Sequence, residues 1–509
     1  MAEPTRPRHV LVSDTAIIVY LALLTLALHF ATNNRYGYHR DELYFIACGQ
    51  HLAWGYVDHA PLVPLIARLS GAVFGYSLFG LRFLPAVAGA LLVLLTGLMV
   101  RELGGGRFGQ FLGALSALVA PVFLRADNML CLPAFEQLLW ALCCYVVILL
   151  IKKDNPRLWP LIGLLVGVGL LTKHSILFFV LGLAAGMLLT RQRKFFLSPW
   201  LWGGVAIAFV IFLPNLVWQM SNGWPTLEFL RNLNRAVMAR ISPLEFLAGQ
   251  VLYINPVNFP VWVAGLCYFL FAKDGARYRL FGWSYLAVIA LLIAAKSKVY
   301  YLTPAYPVLL AGGALVLERF GAQAKRRWFR PAFVAWLVAG GVVMAPLGLP
   351  ILPIERLEGY TAAVTGNLLK NSHEVVHDYR DMFGWQNLVR TVARVYNSLP
   401  PEQRAKRPVF AGNYGEAAAI DLWGARYGLP HAISGDKTYY LWGPGNQPGE
   451  LVLVLGVPAD RLKGVFGEIR KVGLVRSPHA LENHVPIYLG TKIRAPLREI
   501  WPVTKSYGP

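Results

Sequence analysis

Apolar runs dominate the first two thirds of the chain, at the lengths and intervals that bilayer-spanning helices need. Runs near 14–32, 81–100, 108–125, 129–151, 158–173, 175–190, 200–219, 257–272, 279–295, 300–317 and 330–352 approach the ~20 residues that cross a hydrocarbon core of ~30 Å. About eleven spans are therefore expected. Leu62 to Phe74 is apolar but too short to cross, which suits a helix lying in the membrane plane. From about Glu355 the pattern changes. Leu388, Val392, Val395 and Tyr396 keep helical spacing within Gly384 to Leu399. Val409–Gly412, Leu451–Val457 and Val485–Gly490 are short apolar runs bounded by Gly and Pro, as buried strands are. The expected architecture is an α-helical polytopic membrane domain over 1–353, with interfacial helices in an external loop at 33–80, then a soluble α/β domain over 354–509.

Composition narrows the class. Hydrophobic residues are 56% of the chain and charged residues 15%, with a mean hydropathy of +0.48, which excludes disorder and an ordinary soluble domain. A net charge of +21 invites nucleic acid as a partner, but its distribution points to a bilayer. Arg6/Arg8, Arg101/Arg107, Lys152/Lys153/Arg157, Arg191/Arg193/Lys194, Lys273/Arg277/Arg279 and Lys325/Arg326/Arg327/Arg330 fall in alternate loops. The positive-inside rule makes that side, with the amino terminus, cytoplasmic. The tail then lies outside, and no nucleic-acid partner is expected. Met1 to His9 has no cleavable signal pattern, so the first span reads as an uncleaved anchor. Cys48, Cys131, Cys143, Cys144 and Cys267 show neither metal-ligand spacing nor a disulfide framework. No dinucleotide, phosphate-loop or zinc motif is present. No cofactor is called for; a divalent metal is the one open candidate.

The same alternation gathers the mixed charges on the external face. Arg40-Asp41-Glu42 follows the first span, where a water-soluble and a lipid-linked reactant can meet. On a helix the two carboxylates point about 100° apart and need not share a proton. One of them can act as general base toward an acceptor hydroxyl; alternatively, Asp41 is the N-cap of a helix over Glu42–Trp54. Asp58-His59 is a candidate substrate or metal contact, though one Asp and one His are too few for a metal site. Glu136 lies inside a span, at a cost of roughly 2.5–3.5 kcal/mol, and calls for a pairing or a function. Lys296 and Lys298 can neutralise a phosphate leaving group or simply snorkel to the interface. Lys173 and His174 end another span on this face, and Trp218 and Trp224 suit either a sugar or the aromatic belt.

Taken together, Arg40-Asp41-Glu42, Gly55-Tyr56-Val57-Asp58-His59-Ala60-Pro61-Leu62, Gly169-Leu170-Leu171-Thr172-Lys173 and Tyr300-Tyr301-Leu302-Thr303-Pro304-Ala305-Tyr306-Pro307 resemble GT-C membrane glycosyltransferases. The likeness is to bacterial relatives of the dolichyl-phosphate-mannose protein mannosyltransferases (glycosyltransferase family 39) and to the lipid A aminoarabinose transferases. It implies an inverting transfer, in a bacterial inner membrane, of a sugar from a polyprenyl-phosphate donor to an extracytoplasmic hydroxyl or phosphate on protein, lipid or glycan. It implies Asp41 as catalytic base, Glu42 as its acidic neighbour and Asp127 as a second acid near the acceptor. Lys296, Lys298, His59, Arg40 and Lys173 would face the donor phosphate, and Asp58, His174, Tyr301 and Trp224 the substrates. His59 stands where relatives carry Lys. The competing expectations are a transporter or flippase, disfavoured by the lack of internal symmetry, and a non-catalytic assembly protein.

Overall fold

The helix that carries Asp41 packs into two hydrophobic cores, and this double packing organises the chain. The computed structural model describes residues 15–236, 241–366, 372–401, 408–445 and 451–508; the expectations for Met1–His9, including Arg6 and Arg8, lie outside the described residues. Among these, six helices are long and apolar enough to cross a membrane: Leu78–Glu102, Leu132–Lys153, Pro199–Ser221, Ala276–Ala294, Val299–Ala322 and Ala324–Gly348. Three further pairs reach that length only together: Arg107–Leu118 with Pro121–Asp127, Ile176–Leu188 with Arg191–Leu197, and Pro243–Tyr253 with Pro256–Phe271. They are bent by 65°, 112° and 91°. Pro121 and Pro256 open the second member of two pairs, where the missing N–H costs nothing but a straight continuation is barred. Ala16–Thr32 and Pro156–Thr172 are shorter apolar helices. Each of the eleven expected spans thus coincides with a helix, while length and apolarity alone give six to nine crossings.

The loops that carry the basic clusters meet on one face. Lys152 bonds Glu102 at 3.0 Å, Lys194 bonds Asp154 at 2.6 Å, Gln192 donates to the Arg277 carbonyl at 3.0 Å, and Arg319 pairs with Asp274. Close helix approach in the bundle relies on small residues. Along Phe259–Phe271 and Tyr306–Ala322, a Cβ on Gly313 would collide with the Val261 carbonyl and one on Gly265 with the Leu309 carbonyl.

The opposite face carries a five-stranded mixed sheet: β1 (Val409–Ala411), β2 (Ala432–Ile433), β3 (Leu451–Leu455), β4 (Phe466–Val475) and β5 (Val485–Ile493), in the order β2-β1-β3-β5-β4. β1 runs parallel to β2 and β3, whereas β5 is antiparallel to β3 and β4. Val409 sits opposite Leu453, and Leu453 opposite Leu489, forming one apolar face. Trp385–Asn397 covers it with Trp385, Leu388, Val389 and Val392, and Tyr414–Trp423 with Ala417, Ala418 and Ile420. β4 is absent from the sequence expectation because it is an edge strand whose Glu468, Arg470 and Lys471 face solvent. Such polar edges blunt further strand pairing and leave no apolar run to read.

One helix joins bundle and sheet, α2 (Arg40–Gln50), which lies in the chain between α1 (Ala16–Thr32) and α3 (Leu62–Phe74) of the bundle side. Leu43, Tyr44, Ala47 and Cys48 of α2 enter the core of the sheet with Trp385, Leu388, Ala417 and Leu453, while its Phe45 and Ile46 pack on Val63, Ile66 and Leu81. Burying each large apolar side chain contributes about 1.5–3 kcal/mol, so the sheet and α2 form one packed unit. The N-cap of α2 is His39, not Asp41: its ring accepts the Asp41 N–H at 3.1 Å, and Glu42 reaches back to the His39 N–H at 2.9 Å. This capping box satisfies the helix start and releases the Asp41 carboxylate. The helix ends at Gln50 rather than Trp54.

Gly313→Val is expected to destabilise the bundle by about 1–3 kcal/mol through overpacking. Gly203→Ala, with nothing within 4 Å of its added carbon, should leave stability unchanged. Thermal unfolding of the detergent-solubilised variants measures both.

Candidate active site

Between α2, the helical bundle and the segment after Ser372 lies a cavity of about 520 Å³. Its polar lining comprises His39, Asp41, Arg125, Gln137, Lys173, Lys298, Tyr300, His377 and Asp378, against an apolar wall that includes Phe45, Val122, Met129 and Leu132. A pocket lined by both cations and carboxylates can hold a reactant that separates charge.

Asp41 enters the cavity from the first turn of α2 with its side chain 44% exposed. Tyr414 donates its hydroxyl to Asp41 Oδ1 at 2.7 Å, and His39 Nδ1 lies 3.9 Å from Oδ2. Desolvation pushes the Asp41 carboxyl up, but His39, Lys437, the Tyr414 hydrogen bond and Arg40 together outweigh it and hold the carboxyl below its ordinary value. The group is thus a carboxylate at neutral pH, with Oδ1 engaged by Tyr414 and Oδ2 beside His39, on a residue that lines the cavity.

Lys173 and Lys298 share this space. Lys173 Nζ bonds Glu136 Oε2 at 3.1 Å and sits 4.2 Å and 4.9 Å from the ring centroids of Tyr301 and Tyr300. Glu136 also accepts the Ser175 hydroxyl, which accounts for an ionisable group inside a span. Lys298 Nζ stands 6.0 Å from the Tyr300 ring. Arg125, which pairs with Asp378, closes another part of the lining.

The other candidates lie elsewhere. Glu42 is fully buried and receives Arg82 through Nε (2.8 Å) and Nη2 (2.7 Å), plus the backbone N–H groups of His39 and Leu130 (both 2.9 Å). With its lone pairs so engaged, Glu42 is built as a structural anchor. Asp127 is buried against Gly89, and its Oδ1 has no partner among the described residues. Lys296 is exposed and outside the cavity lining, at a φ of 49°. Arg40 pairs with Asp381 (3.2 Å) and Glu482 (3.0 Å), tying α2 to the carboxy-terminal region. His59 is buried among the rings of Tyr44, Phe45 and Tyr56. Burial lowers its basicity, with Asp58 opposing. Asp58 bonds Lys437 at 3.2 Å and accepts the Tyr44 hydroxyl at 3.1 Å. His174 bonds Asn215 at 3.1 Å. Trp224 is an exposed corner residue, at a φ of 58°, whose N–H bonds the Gln219 carbonyl.

Sequence reasoning passed over Arg82, Asp381, Tyr414 and Lys437. Arg82 could have been found as a charge inside an apolar run, and Asp381 within the dense His377-Asp378-Tyr379-Arg380-Asp381. Tyr414 and Lys437 give no local signal, because only the tertiary fold carries them to α2.

Residues 58–218 match the family model described as dolichyl-phosphate-mannose-protein mannosyltransferase. The lipid A galacturonosyltransferase RgtD of Rhizobium johnstonii is 25% identical over 271 residues, which is 51% of this chain and 56% of that protein. The chain thus spans little more than half the length of this relative. Two crystal structures of ArnT from Cupriavidus metallidurans superpose at 14% identity. The apo state gives a TM-score of 0.62 over 93% of this chain and 98% of that one, and the form bound to undecaprenyl phosphate gives 0.60 over 94% and 98%. The fold is therefore that of the GT-C proteins, a helical membrane part followed by a sheet-bearing carboxy-terminal region. The family resemblance read from the sequence agrees with the family model, the curated relative and both structures; the matched residues 58–218 lie between Arg40-Asp41-Glu42 and the motif at 300–307 and include neither.

Glu42→Gln should weaken the buried pair and leave the Arg82 charge undercompensated, destabilising the fold by about 3–5 kcal/mol. Asp41→Asn, at a half-exposed site, should unfold like the wild type. Parallel thermal melts separate the buried anchor from the carboxylate in the cavity lining.

Proposed function

We propose that the chain is an inverting glycosyltransferase that moves a sugar from a polyprenyl-phosphate donor to an extracytoplasmic hydroxyl or phosphate, with Asp41 as general base. The observation that carries this reading is one cavity that holds the Asp41 carboxylate together with Lys173 and Lys298. In this scheme the acceptor oxygen attacks the anomeric carbon from the face opposite the phosphate. Asp41 Oδ2 takes the acceptor proton, if there is one, as the new bond forms. The bond from the anomeric carbon to the phosphate oxygen breaks, and the charge arriving on the phosphate meets Lys298 and Lys173. A single displacement needs no covalent enzyme intermediate and inverts the carbon. Support for a lipid-phosphate ligand comes from the ArnT form solved with undecaprenyl phosphate, and support for sugar transfer from the named activity of the Rhizobium relative.

The orientation belongs to the same proposal. The face of basic loops is cytoplasmic by the positive-inside rule; the cavity and the 354–509 unit are extracytoplasmic, in a bacterial inner membrane. Glu42 and Asp127 are then supporting residues, Glu42 holding α2 and Asp127 packing against Gly89.

Purified wild type and Asp41→Asn are compared for transfer of radiolabel from polyprenyl-phosphate-mannose and from membranes carrying other lipid-linked sugars. Transfer is expected in the wild type and lost in the variant, with donor binding retained; equal transfer by both sinks the base assignment. Lys298→Met should slow transfer on the order of 10²-fold by removing charge stabilisation. A base must be ionised, and the folded value of Asp41 is depressed, so its contribution is lost only as pH falls through that depressed value. Any acid limb due to Asp41 in a pH–rate profile therefore lies below the ordinary ~3.9.

A further inference from the structure

Two residues of the carboxy-terminal region face Asp41 across the seam between sheet and bundle. Tyr414 opens the helix Tyr414–Trp423 and donates to Asp41 Oδ1 at 2.7 Å. Lys437 Nζ lies 3.9 Å from the centroid of the Tyr414 ring and 3.2 Å from Asp58 Oδ2. The Lys437 backbone holds a φ of 47°, a left-handed conformation that a non-glycine residue keeps only where its surroundings impose it. Thr438, next along, donates its backbone N–H to the Tyr44 hydroxyl of α2 at 3.1 Å, and the two hydroxyl oxygens lie 2.5 Å apart. Both polar ends thus turn onto α2 and the loop after it rather than onto the sheet.

We infer that the carboxy-terminal α/β region is a working part of the site, in which Tyr414 and Lys437 are positioning residues that hold Asp41 as an oriented carboxylate. This rests on the reading of Asp41 as the proton acceptor. The charged or titratable groups facing Asp41 are His39 and Arg40 on α2, His59 in the following loop, Asp381 before Trp385–Asn397, and Tyr414 and Lys437 themselves. His39, Arg40 and Lys437 favour the carboxylate, and Asp381 opposes it. The Tyr414 hydrogen bond fixes Oδ1 and leaves Oδ2 beside His39. Removing that bond or the Lys437 charge should therefore raise the Asp41 pKa and free the side chain to rotate.

The test labels the full-length protein, in detergent, with a membrane-permeant carbodiimide, which reacts with the protonated carboxyl; mass spectrometry reads the adduct at Asp41. Well above its pKa the protonated fraction falls about tenfold per pH unit, so the labelling rate near pH 6 reports the pKa without exposure to acid. Tyr414→Phe keeps the ring and removes only the donor. Its Asp41 labelling should rise about tenfold, equivalent to ~1 pH unit, with Asp381 on the same seam changing by less than about twofold. Lys437→Gln should give a rise of the same sign and decides the matter if Tyr414→Phe does not accumulate. Labelling within about twofold of wild type overturns the inference, as does an equal rise at Asp381, which would report a loosened seam. The two readings fail separately. Transfer retained by Asp41→Asn removes the base assignment, whereas flat labelling beside an inactive Asp41→Asn removes only the positioning role.

Discussion

The buried pair between Glu42 and Arg82 sets where everything else in the site can be. Arg82 is fully buried at the start of Leu78–Glu102; besides Glu42, its guanidinium serves the carbonyls of Asn33 (2.6 Å) and Gly37 (2.7 Å). Glu42 in turn holds the N–H groups of His39 and Leu130. Five chain segments therefore meet at one ion pair: the exit of α1, the turn before α2, α2 itself, the second bundle helix and the turn before Leu132–Lys153. Such a pair contributes little net stability, because desolvating both charges offsets their attraction. Its value is register: with the fork of Arg82 satisfied in one geometry, α2 cannot slide or rotate on the bundle.

Fixing α2 separates two adjacent carboxylates into different environments. Glu42 turns into a dry, fully satisfied socket, while Asp41, about 100° around the helix, turns to the cavity and the carboxy-terminal region. The cavity itself needs balance as much as charge. Lys173 and Lys298 would bind an anion too weakly if fully neutralised and would destabilise the fold if left bare. The Lys173–Glu136 pair and the two tyrosine rings moderate one of them, and Asp41 lines the same cavity. In the proposed transfer, charge arriving on the leaving phosphate would be met by groups already in place, which is where preorganised electrostatics lowers a barrier most.

The fold was legible in the chain to the extent that its signals are local. Helix positions follow from apolar runs, and Leu62–Phe74 appears as a helix with the bounds its apolarity marks. The strands with continuous apolar cores, β1, β3 and β5, are visible for the same reason. β4, polar on its exposed face, is not. In the site, Asp41, Lys173 and Lys298 stood out as charges at span ends, where membrane chemistry makes charge costly. What fills the space beside Asp58-His59 is not legible from the local sequence. That space holds Lys437, nearly 380 residues away in the chain. The N-cap of α2 shows the same limit: Asp41 fits the preferred residue types, yet His39 takes the position because Glu42 can reach back and close the box.

A site assembled from two ends of the chain also has a consequence for order of formation. α2 contributes Leu43, Tyr44 and Ala47 to the core of the sheet, so neither the sheet nor the loop at 33–80 has its full core without the other. Contacts of such sequence separation close late, after the loop entropy between them has been spent. The bundle can therefore assemble with Lys173, Lys298 and Arg125 in place while Asp41 still lacks Tyr414 and Lys437. Only when the α/β region seats on α2 does the carboxylate acquire its fixed oxygen and the nearby Lys437 charge. The same seam that completes the hydrophobic core thus completes the surroundings of Asp41, which makes core packing and the fixing of that carboxylate one event rather than two.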